Sequence, residues 1–178
     1  MPKGLVLTLG LLLAAVGLFG VLSKNPASTP APESSAVSSG PCLDSGVTLV
    51  IDFGSESAQE SKVSCLQDFA GNGWQLLEEA DLAPTGTSQY PAAFVCRIGG
   101  WPTETAQDCL DTPSYQEGTW VYFKSLAGEW VRSGQGAADP NNRVACGAAE
   151  GWVFITPNTP ESEQSPSASV PELTCDTK

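Results

Sequence analysis

Val47-Thr48-Leu49-Val50-Ile51-Asp52-Phe53 is the stretch on which the fold turns. Side chains of an extended chain alternate between two faces. Val47, Leu49, Ile51 and Phe53 therefore share one face, and Thr48, Val50 and Asp52 share the other. The alternation predicts a strand with a wholly apolar side. Gly54-Ser55-Glu56-Ser57 reads as a turn, and Lys62-Val63-Ser64-Cys65-Leu66 as a second short strand that folds back on the first.

Outward from this hairpin the pattern changes period. Asn72 followed by Gln75 has the spacing of a capping box, in which each side chain satisfies the other's free backbone N–H. A short helix is predicted over residues 73–81. Trp74 with Leu77, and Leu76 with Ala80, give it an inward face; Glu78 and Glu79 face water, and Pro84 lies beyond its end. Strands are then expected at Ala93–Ile98, ending at Gly99-Gly100, at Thr119–Lys124, at Glu129–Arg132 after the Ala127-Gly128 turn, and at Gly151–Ile155. The expected fold class is α+β: a mostly antiparallel, β-grasp-like sheet with one short helix, stapled by disulfides.

Six cysteines make that last term concrete: Cys42, Cys65, Cys96, Cys109, Cys146 and Cys175. No Cys-x-x-Cys pair occurs, so neither a thioredoxin-type redox motif nor close-paired zinc ligation is supported. An even count in an exported chain points to structural bridges, and spacing alone leaves about 15 pairings open. Cys96–Cys109 closes the shortest loop and is the simplest pair, with a chain-entropy contribution of roughly 3 kcal/mol. Cys42–Cys65 would tie the domain's entry to its second strand, and Cys146–Cys175 follows by elimination.

The ends read differently from the middle. Lys3 precedes an uncharged apolar run from Gly4 to Leu22, so residues 1–23 are expected to be a signal peptide or an uncleaved membrane anchor. Either puts the remainder outside the cytoplasm, secreted or anchored to the cell membrane, with only the N-terminal segment in contact with the bilayer. Residues 24–41 form a Pro/Ser/Ala-rich linker, residues 42–156 the domain, and residues 157–178 an acidic tail expected to be disordered.

The net charge of −12 excludes whole classes of function. Residues 42–156 carry 15 Asp and Glu against 5 Lys and Arg, the wrong sign for a nucleic-acid or anionic-lipid surface. Histidine is absent, which removes Ser-His-Asp and Cys-His catalysis and every His-ligated zinc site. No G-x-S-x-G elbow occurs. Glu104, Asp108 and Asp111 surround Cys109 without the ordered spacing of a calcium loop, and read as solvated surface. The adjacent Glu78 and Glu79 diverge in direction on a helix and do not make a catalytic pair. No metal or resident cofactor is expected.

Taken in order, the motifs carry a resemblance. They are Val47-Thr48-x-Val50-Ile51-Asp52-Phe53, Gly73-Trp74-Gln75-Leu76-Leu77, Phe94-Val95-Cys96-Arg97-Ile98-x-Gly100-x-Pro102, Cys109-x-x-Thr112-Pro113, Trp120-x-Tyr122-Phe123, Gly128-x-Trp130 and Glu150-Gly151-Trp152-x-Phe154. The series resembles the transcobalamin-like C-terminal domain family of small exported actinobacterial proteins, over residues 46–155. The resemblance implies a β-grasp-like domain without catalysis. In vitamin B12 carriers the similar domain covers one face of cobalamin beside a large helical domain, which has no counterpart in these 178 residues. Gly99 also stands where similar sequences often carry an acidic residue.

Four aromatic residues are the candidate ligand-binding set. Trp120 and Tyr122 share one strand face, Trp130 on the neighbouring strand extends it, and Trp101 sits in a Gly-Gly-x-Pro turn where exposure is expected. The competing reading is that such residues fill a small core. The expected function is a non-enzymatic exported binding module. It would present an aromatic face to a small ligand, with cobalamin as candidate, or to a membrane or cell-surface transport partner. The alternative is a structural or adhesive surface domain that binds another protein.

Overall fold

The computed structural model describes residues 35–173 and Cys175. The apolar run at 1–23 and the first part of the linker lie outside them. Among the described residues no helix is long and apolar enough to cross a membrane.

Val47–Phe53 does what its alternation predicts. Strand β2 (Val47–Asp52) is buried along its whole length. It pairs antiparallel with β3 (Lys62–Leu66) and parallel with β10 (Ala149–Ile155). β10 pairs antiparallel with β7 (Thr119–Leu126), which turns at Ala127-Gly128 into the edge strand β8 (Glu129–Arg132). On the other edge β1 (Val37–Ser39) pairs with β3. The six-stranded sheet thus runs β1-β3-β2-β10-β7-β8, mixed but mostly antiparallel, and its first and last long strands lie side by side at the centre. β1 comes from the stretch expected to be linker, so the folded region begins earlier than composition indicates.

One short helix, α1 (Gly73–Glu79), crosses the inner face. Its start is set as predicted: Asn72 Oδ1 accepts from Gln75 N–H and Gln75 Oε1 accepts from Asn72 N–H, each at 3.0 Å. Replacing Asn72 by Ala is expected to cost about 1 kcal/mol of stability, read from the urea midpoint. The helix ends at Glu79 rather than residue 81, because the chain turns at Asp81 with φ 56°. Trp74, Leu76 and Leu77 are buried beneath it against Val47, Leu49, Ile51 and Phe53.

The strand expected over Ala93–Ile98 shrinks to β6 (Val95–Arg97) and leaves the main sheet. It forms a small ribbon with β5 (Thr85–Gly86), while β4 (Gly71–Asn72) and β9 (Arg143–Val144) form another. Gly99 and Gly100, with φ of 58° and 77°, reverse the chain so that Ile98 bridges Trp101 directly. Positive φ at consecutive residues is the geometry that glycine tolerates best. Arg97 pins the far side of the loop, donating from Nε to the Pro102 carbonyl at 2.9 Å and from Nη2 to the Gln107 carbonyl.

All six cysteines are paired: Cys42–Cys65, Cys96–Cys109 and Cys146–Cys175. The last of these returns the chain end to the domain. Residues 157–173, expected to be a disordered tail, lie across the outer face of the sheet as a strap. Low apolar content alone points to disorder. The strap is held instead by hydrogen bonds to Asp52 and Trp130, by one seated proline and by the terminal bridge.

Candidate functional site

The alternation that predicts β7 also decides the fate of its aromatics. Trp120, Tyr122 and Lys124 point to the inner face, while Val121 and Phe123 point to the outer face with Val153, Ile155 and Trp130. The helix and the loops after it close over the inner face. Trp120 is consequently 6% exposed and Tyr122 7%. Trp120 meets Phe53 and Phe154 edge-on at 5.6 and 5.4 Å, and Tyr122 stacks on Trp152 at 4.5 Å. Trp101 is half-buried rather than exposed. Its backbone occupies the turn, but its ring leans on Phe154 at 5.8 Å and its carbonyl accepts from Trp120 Nε1 at 3.2 Å. Trp130 lies on the opposite face and donates from Nε1 to the Ala168 carbonyl at 2.7 Å. The four candidate residues do not form one surface: three belong to the core and its rim, and one to the strap side.

Where the aromatic face was expected, the structure has a buried polar network. Glu150 occupies the inner phase of β10 with Trp152 and Phe154 and is 0% exposed. Its Oε2 accepts from the Tyr122 hydroxyl, which accepts from Asn142 Nδ2 at 2.9 Å. Lys124 Nζ donates to Asn142 Oδ1 and lies 3.9 Å from Glu150 Oε1, an oxygen left without a hydrogen-bond partner. The first residue of α1 lies on this pair. A Cβ at Gly73 would fall 2.7 Å from the Tyr122 hydroxyl and 2.8 Å from Glu150 Oε2.

Burial dominates the electrostatics. It pushes the Glu150 carboxyl up to about 7, against the smaller downward pulls of the Tyr122 hydrogen bond and the Lys124 charge. Burial and then the neighbouring carboxylate push the Tyr122 phenol upward too. Glu150 was missed in the sequence, although the signal was available, since alternation from Trp152 and Phe154 places it inward.

The clefts lie elsewhere. One of about 230 Å³ sits between the strap and the loop after β2, lined by Asp52, Phe53, Ser55, Gln59, Ser165 and Ser167 among others. A second, open cleft lies at the end of the sheet beside Ser125, Gly147 and Pro171, and a third beside Thr87, Arg97 and Asp108. Glu150 and Tyr122 line none of these three, so substrate access to the buried acid is not provided there. Among the described residues no group of three or more His, Cys, Asp or Glu could hold a metal ion. No known protein family, curated protein or solved structure matches the chain.

Proposed function

We propose that residues 42–156 are a non-enzymatic, extracytoplasmic binding module with a β-grasp-like sheet of the transcobalamin-like C-terminal type, and that its partner is another protein. The strand order β3-β2-β10-β7-β8, with a parallel central pair and one helix across a face, supports the β-grasp-like description. Three disulfides support an oxidising compartment, reached through residues 1–23 as export signal or membrane anchor.

One observation carries the class of partner. Tyr90, Leu110 and Tyr115 are 48%, 59% and 42% exposed, whereas Trp120 and Tyr122 are spent in the core. These exposed side chains stand on the loops around the Cys96–Cys109 bridge, tied further by Ser88 N–H to the Cys109 carbonyl at 2.9 Å. Large apolar side chains on pre-ordered loops bind at low entropic cost.

A corrinoid is the small-ligand version of the same reading, and paired experiments separate the two. The expected result is no change in tryptophan fluorescence or corrinoid absorption at high micromolar cobalamin. In parallel, the full chain should give a cell-surface crosslink that Leu110→Ser with Tyr115→Ser abolishes. Saturable quenching by cobalamin would move the assignment to a corrinoid, and a crosslink indifferent to both substitutions would overturn the loop surface.

A further inference from the structure

The strap is more than a cover. Three consecutive residues in it are each met by a separate device on the sheet. Pro166 is buried between exposed Ser165 and Ser167. It sits against Gly151, where a Cβ would fall 2.5 Å from Pro166 Cγ and 3.4 Å from Trp130 Cζ3. The missing side chain of Gly151 is thus what makes the slot, and the Trp130 indole lies at its side. Ser167 is held through both its backbone and its side chain: its N–H donates to Asp52 Oδ2 at 2.7 Å and its Oγ to Asp52 Oδ1 at 2.8 Å. The Ala168 carbonyl accepts from Trp130 Nε1 at 2.7 Å. Asp52 is itself only 8% exposed.

Covering the apolar outer residues Val121, Phe123, Val153 and Ile155 requires apolar bulk and nothing more. A proline slot flanked by an indole, with side-chain hydrogen bonds to the flanking backbone, is how grooves recognise extended proline-containing peptides. The groove is also wider than its occupant. The cleft of about 230 Å³ runs alongside the strap, and Asp52 and Ser167 help line it.

We propose that the outer face of the sheet is a peptide-binding groove for an extended Pro-Ser segment of another polypeptide, filled in cis by the chain's own Ser165–Ala168. This site uses none of the residues of the Cys96–Cys109 loops, so it stands or falls separately from the loop surface. Both ends of the strap are tethered, one by β10 and the other by Cys146–Cys175. A tethered occupant acts at an effective concentration in the millimolar range, which closes the groove to a monovalent competitor of modest affinity.

The test uses the full chain and a labelled peptide with the sequence of residues 162–170. Pro166→Ala with Ser167→Ala weakens the cis occupant by removing its seated ring and its hydroxyl bond to Asp52, keeps the two backbone bonds, and leaves all three disulfides in place. The variant is expected to bind the peptide and the wild type to exclude it, with the Trp130 indole N–H resonance as reporter. A peptide with Ala in place of its Pro-Ser serine should bind about tenfold more weakly, having lost a hydrogen bond to a carboxylate. Should that variant misfold, Cys146→Ser with Cys175→Ser unties one end of an unchanged strap. Millimolar peptide should then displace it and move the same resonance. A Trp130 resonance indifferent to millimolar peptide in the folded variant overturns the proposal. So does peptide binding that ignores the serine.

Discussion

Trp120→Ala is expected to lower the unfolding free energy by about 3–5 kcal/mol, the range for removing a large aromatic from a packed core. The indole is 6% exposed, wedged edge-on between Phe53 and Phe154. Its removal opens a cavity where strand β2, strand β10 and the 99–102 turn converge, and it takes from the Trp101 carbonyl one of its two donors, leaving the Ile98 N–H at 2.9 Å. Neighbouring side chains can relax only partly into such a space. The measurement is the denaturant midpoint at unchanged m-value, which separates lost stability from an altered denatured state. A ligand platform behaves oppositely, because truncating an exposed aromatic leaves stability within about 0.5 kcal/mol. A shift that small would return Trp120 to the list of binding residues.

The second large effect is a pH dependence of unusual sign for a carboxylate. Glu150 titrates in the folded chain at about 7 instead of its ordinary 4.5, because burial penalises the charge. Below pH 4.5 the folded and unfolded chains both hold this proton, and its contribution to stability is fully present. As pH rises from 4.5 through 7 the unfolded chain releases the proton first, so stability falls. The proton accounts for a loss of roughly 3 kcal/mol across that window. Glu150→Gln cannot ionise, yet its amide oxygen can still accept from the Tyr122 hydroxyl. Unfolding measured from pH 4.5 to 8 should therefore show a wild-type curve that falls between pH 4.5 and 7 and a flatter variant curve, so that the variant gains on the wild type through that window and keeps the gain above it. Parallel curves would mean that Glu150 carries its charge without penalty, through Lys124.

Alternation made much of the fold legible. Val47–Phe53, Trp120–Phe123 and Gly151–Ile155 each have one face that only a core can satisfy, and each is a long, buried strand of the sheet. The Asn72–Gln75 capping box is equally local, and so is the helix start. What was not legible depends on contacts between distant segments. Nothing near Trp101 in sequence says that its ring leans on Phe154. Trp130 lies across from Ser125 in an edge hairpin, and that register places it on the outer face, away from Trp120 and Tyr122. The strap escaped a reading based on apolar content because its partners are polar and remote. Asp52 is 115 residues from Ser167.

The parallel pairing of β2 with β10 has a consequence for the order in which this chain can assemble. β10 fills the gap between the β2–β3 hairpin and the β7–β8 hairpin. A chain that emerges N-terminus first can form each hairpin from local contacts, but the two have no shared strand until residues 149–155 arrive. Closing that span delays the rewarding contacts until β10 has been made. The half-finished polypeptide thus holds two separate hairpins and lacks the strand that joins them into one sheet.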